Sequence, residues 1–202
     1  LSYMTPRWLG VRAGVSYTPE ANLAGADFDP AVANGGLAGA DLEDVVEGAL
    51  SFSRRFRSNG VRIRAALTGT WAESGSAIGG FDDYDAVGAG VELERGGWMG
   101  GVRWLSSNNA RGGAGDYEAV EIGLAREAGP WRFGVEWGSA SDDFLGLEGE
   151  SWLIGARRTI GERFSVGVGY QGFSDEYPVL STVSGRQEAD RGGVVLELSV
   201  RN

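Results

Sequence analysis

Ten charged side chains fall at alternate positions within otherwise apolar-patterned segments: Arg12, Glu47, Arg62, Arg64, Glu92, Arg103, Glu121, Arg132, Glu136 and Arg157. Residues two apart on a strand share a face, so this spacing sets guanidinium and carboxylate groups along one surface. Opposed charges around enclosed water create a transverse field that orders dipolar solutes, and rings of one sign bias ion choice. Catalysis is a poorer use for them. The chain has no His and no Cys, which removes imidazole-based triads, thiol nucleophiles and the usual zinc ligand sets. A carboxylate-only enzyme needs paired acids aimed at a substrate, and the one dense cluster is Asp82, Asp83 and Asp85. That run is also the candidate for Ca²⁺, since hard cations take carboxylate oxygens; a solvated loop is the simpler reading, and nothing in the chain has EF-hand spacing. No cofactor and no metal are expected.

The elements that carry these residues are strands. From Trp131, one face holds Trp131, Phe133, Val135 and Trp137 while the other holds Arg132, Gly134 and Glu136, a period of two that no helix reproduces. The same split runs from Leu9 to Tyr17 and from Val61 to Thr68. At 202 residues one barrel domain suffices. The formal charge of -10 argues against a nucleic-acid partner, whose phosphates need a basic footprint. No apolar run is long enough for a transmembrane helix, and the opening LSYMTPRWLG lacks the basic start and apolar stretch of a leader.

Alternation indicates about ten strands plus a stub at Leu1 to Thr5, joined by connections that alternate in length. Short turns are expected at Pro6 to Trp8, Arg57 to Gly60, Glu94 to Gly97, Glu127 to Pro130 and Thr159 to Glu162. Longer Gly, Asp and Ser-rich segments are expected at Thr18 to Asp41, Ala72 to Asp83, Ser106 to Asp116, Gly138 to Glu148 and Ser174 to Ala189. Tight turns at one end and long loops at the other are the habit of outer-membrane barrels. VRAGVSY, WMGGVRW, WRFGVEW and FSVGVGY share one pattern, and the last three begin 33 residues apart; each repeat is a hairpin.

Two readings of the faces compete. In a soluble ligand-binding barrel the apolar face lines the interior, whereas in a membrane barrel it meets lipid and the polar face lines water. Large aromatics at both ends of the apolar face favour lipid outside: Tyr17, Trp71, Trp98, Trp104, Trp131, Trp137, Phe164 and Tyr170 have the amphipathic rings that suit membrane interfaces. Glycine in the polar phase, at Gly14, Gly101, Gly134, Gly155 and Gly167, leaves room for water or for curvature.

The segments LSYMTPRWLGVRAGVSYTPE, VGAGVELERGGWMGGVRW and IGLAREAGPWRFGVEWG resemble those of the Gram-negative porins of α-proteobacteria, and the resemblance runs from Leu1 to Arg201. It implies an all-β, antiparallel up-and-down transmembrane barrel with about ten or eleven of sixteen strands present, in a trimer that passes small hydrophilic solutes and ions. It further implies outer-membrane lipid and lipopolysaccharide as surroundings, long loops outside and a periplasmic carboxy terminus. Residues 1–202 are then one porin domain lacking its first strands, with the constriction loop among the missing part. Family members usually end on an aromatic; here Asn202 holds that phase. An outer-membrane barrel enzyme and an adhesin-like surface barrel are the remaining alternatives.

Overall fold

In a computed structural model, the described residues are 1–22, 41–74, 82–110, 116–143, 146–178 and 186–200. They form eleven strands: β1 (Ser2–Met4), β2 (Val11–Asn22), β3 (Asp41–Arg55), β4 (Arg62–Ser74), β5 (Tyr84–Arg95), β6 (Trp98–Ser107), β7 (Tyr117–Ala128), β8 (Trp131–Asp142), β9 (Leu147–Ile160), β10 (Phe164–Pro178) and β11 (Arg186–Val200). All belong to one sheet in chain order, every neighbour antiparallel. This is the all-β meander that the alternation indicates, stub included. Among the described residues β1 and β11 remain the two edges and do not pair with each other.

The short connections stand where the sequence puts them. Between β5 and β6 lie only Gly96 and Gly97, with φ of 57° and 80°, the left-handed pair that a two-residue hairpin turn requires. At the other end the strands run further than the polar composition suggests. β2 continues to Asn22, β10 to Pro178, and β11 already begins at Arg186. Ladder hydrogen bonds join backbone groups and do not depend on apolar side chains, so Gly, Asp and Ser residues extend the strands instead of ending them. Most of Thr18 to Asp41, and Asn202, lie outside the described residues. One irregularity breaks the ladder, a register shift between β3 and β4 at Glu43 to Val46, where Asp44 takes a φ of 50°; such a bulge kinks the sheet.

The sheet has no dry centre. Buried apolar residues among those described are Leu42, Val45, Ala72 and Ala110, and no large side chain is fully buried. That small cluster, with Ala21 and Tyr84 against it, sits at the long-loop end. Meanwhile Val135 is 48% exposed, Ile154 56% and Leu196 79%, although all three lie within strands. An apolar face left uncovered over a whole sheet exceeds what a soluble monomer tolerates.

Candidate functional site

Registration sorts the expected residues without exception. Paired residues present their side chains to the same face, and the chain of partners Arg12, Ser51, Ala66, Gly90, Arg103, Glu121, Gly138 and Ser151 crosses eight strands. By strand alternation Glu47, Arg62, Arg64, Glu92, Arg132, Glu136 and Arg157 share that face. Tyr17, Trp71, Trp98, Trp104, Trp131, Trp137, Phe164 and Tyr170 all fall on the opposite one.

The polar face is the concave one. A cavity of about 1040 Å³ is lined by Arg7 and by residues from Ser51 on β3 through to Glu197 on β11, which requires the sheet to curl around it. Arg64, Glu92, Arg103, Glu121, Arg132, Glu136 and Arg157 line this cavity; Arg12, Glu47 and Arg62 lie on the same face beyond its lining. On a concave surface side chains converge, and glycine relieves the crowding. A Cβ at Gly101 would stand 3.0 Å from the Val91 carbonyl oxygen, and one at Gly155 would stand 3.3 Å from that of Val168.

Charges on this face pair between neighbouring strands. Arg64 Nη2 lies 2.5 Å from Glu92 Oε1, its direct cross-strand partner. Glu94 gathers three arginines, Arg55 at 2.8 Å, Arg62 at 3.2 Å and Arg64 at 3.5 Å. Arg103 pairs with Glu121, Arg191 with Asp175, and Arg157 reaches Glu197 at 3.3 Å. Arg132 donates to Met99 Sδ at 3.4 Å, Arg12 donates to the Thr5 carbonyl at 3.2 Å, and Glu47 accepts from Ser16 Oγ at 2.6 Å. The sequence suggests a basic stripe facing acids across water; the described pairs run sideways along one wall instead, because antiparallel registration sets Arg64 beside Glu92 and Arg103 beside Glu121 only one strand spacing apart. Glu94, expected in the short turn, and Asp175, expected in a long loop, fall instead within β5 and β10 and join the face, as do Glu197 and Arg191, which the alternation did not single out. Their phase relative to Glu92 and Gly193 was the available signal.

In the acidic run two carboxylates accept hydrogen bonds from backbone N–H groups. Asp83 Oδ1 accepts from the Ser74 backbone N–H at 3.5 Å, and Asp82 Oδ1 accepts from that of Asp83 at 2.9 Å. The Asp85 N–H donates to Asn108 Oδ1 at 3.0 Å, tying the base of β5 to the end of β6. Among the described residues no three His, Cys, Asp or Glu side chains are placed to hold a metal ion. On the outer face Trp104 Nε1 donates to Glu118 at 2.7 Å. Trp152, which the sequence reading did not include with the other aromatics, packs 5.3 Å from Tyr170 and lies over Gly172, where a Cβ would come within 2.6 Å of its ring.

A family model described as Gram-negative porin matches residues 1–176. The chain belongs to the Gram-negative porin family. A search of curated proteins finds none that matches. For a porin the arrangement is coherent: family membership implies the outer membrane and contact with its lipid. The resemblance read from TPR at Thr5 to Arg7 and from Gly129 to Trp131 thus agrees with the family assignment.

Proposed function

We propose that this porin encloses, against its concave face, a water-filled passage for small hydrophilic solutes and ions, and that it catalyses nothing. Arg12, Glu47, Arg62, Arg64, Glu92, Arg103, Glu121, Arg132, Glu136 and Arg157 line that passage, and the outer aromatics form its lipid girdle. The observation that carries the reading is the inverted distribution of side chains: arginines and glutamates line the cavity among glycines, alanines and a few valines and leucines, while most large apolar side chains of the strands stand uncovered. Lipid satisfies such a surface, and closed barrels satisfy the backbone within it. An up-and-down barrel of one chain closes on an even strand count, so β1 and β11 need further strands between them to seal the pore.

In this proposal residues 1–202 belong to a single porin domain that lacks its first strands here, and the assembly is a homotrimer. The tight turns face the periplasm and the long loops face lipopolysaccharide. β11 supports that orientation for the carboxy-terminal end, because Val200 pairs with Phe164 beside the short turn at Gly161. The test is reconstitution of the full-length protein in a planar bilayer. Stepwise ohmic conductance is the expected result, with extraction only by detergent. A protein that stays monodisperse in detergent-free buffer would be a soluble binder, and one that inserts without conducting would be a surface barrel; either outcome ends the proposal.

A further inference from the structure

Among the described side chains of the outer face the charges segregate by end. Arg54, Arg95, Arg126 and Arg158 lie within the last three residues of β3, β5, β7 and β9, the strands that run into the short turns, and registration puts all four on the apolar side. The carboxylates of that side that flank the aromatics, Asp85, Glu118 and Glu150, stand at the opposite, long-loop end. Among the described residues none of the four arginines pairs with a carboxylate, in contrast to the neutralised pairs of the concave face. Neighbouring strands lie about 4.8 Å apart, so one arginine recurs roughly every 10 Å around the sheet.

Aromatic rings hold three of these cations in place. Arg126 stacks over Trp98 at 5.0 Å, Arg158 over Trp131 at 5.4 Å and Arg54 over Phe56 at 5.4 Å. Trp98 sits between its two direct partners Arg95 and Arg126. Arg126 also donates to the Gly96 carbonyl in the turn. A guanidinium fixed on a ring keeps its remaining N–H groups directed outward, and its flat fork matches phosphate oxygens. Four unneutralised arginines at the edge of an apolar surface call for an anionic partner whose other end is apolar.

We propose that this belt of Arg54, Arg95, Arg126 and Arg158 binds the headgroup phosphates of anionic phospholipids in the leaflet at the short-turn end, with the acyl chains on the valines and leucines above. The proposal rests on the membrane reading given above. Each arginine at an anionic lipid surface is worth about fivefold in binding, so selection over zwitterionic lipid follows from charge, with the aromatic stacking fixing its position.

The experiment uses the full-length protein with Trp71, Trp104, Trp137, Trp152 and any Trp outside residues 1–202 changed to Phe, which leaves Trp8, Trp98 and Trp131 as reporters at the short-turn end. It is inserted into vesicles of phosphatidylcholine and phosphatidylglycerol in which one lipid or the other carries brominated, quenching chains. Brominated phosphatidylglycerol is expected to quench with about fivefold higher relative affinity. Arg→Gln at all four positions should bring the ratio close to one, and Arg→Lys at all four should preserve most of it, the Lys set also showing that the barrel tolerates substitution there. Equal quenching by both lipids, or a preference that survives the Gln set, overturns the proposal while leaving the membrane reading intact. Quenching by neither lipid overturns the membrane reading itself.

Discussion

At the scale of single residues, the concave face combines glycines where a Cβ would crowd neighbouring backbone with arginines and carboxylates that pair across strands. Gly101→Val forces a branched side chain against the Val91 carbonyl, only 3.0 Å from where a Cβ would start. Overpacking of this kind costs about 1–3 kcal/mol, which urea unfolding of the reconstituted protein should register. The charged pairs behave differently. Arg64 and Glu92 are 44% and 36% exposed, and exposed ion pairs contribute about 0.2–1 kcal/mol. Arg64→Glu or Arg103→Glu should therefore leave insertion intact. Each adds negative charge to the passage, so the reversal potential in a salt gradient should move toward cation preference.

At the scale of elements, the hairpin is the unit that gives each strand two environments. Val135 stands on the outer face of β8 between Trp131 and Trp137, opposite Leu124 and Ile154. Val135→Arg puts a cation into that apolar band and should cost about 2–4 kcal/mol near the bilayer midplane, measured as a lower urea midpoint in vesicles. If Val135→Arg were harmless and the arginine substitutions of the concave face unfolded the protein, the two faces would be assigned the wrong way round. The β5–β6 turn gives an independent handle. Gly97 has a φ of 80°, where a Cβ would lie 2.8 Å from the Glu127 carbonyl oxygen. Gly97→Val should destabilise the hairpin by at least about 1–2 kcal/mol, visible in the same unfolding assay with conductance of the surviving fraction unchanged.

At the scale of the whole molecule, the concave face carries paired charges, and their fields across the proposed passage are short-ranged. The screening length falls from about 8 Å at physiological ionic strength to about 3 Å at 1 M salt. Ion preference should accordingly fade between those conditions while conductance rises, a pattern that reversal potentials at both salt levels will check.

Much of this was legible in the residues. The division of each strand into a charged side and an apolar side was determined by the sequence alone, because alternation of side chains along an extended backbone is local geometry and needs no knowledge of neighbours. Turn positions were equally legible at Gly96 and Gly97, since left-handed φ values call for glycine. Tertiary structure decided what lies far apart in the chain. Which face is concave, that Glu94 collects Arg55, Arg62 and Arg64, that Arg157 meets Glu197, and that arginines and rings interleave at the short-turn end all follow from curvature and strand register. Those arise only when many strands pair at once, and no single strand's composition encodes them.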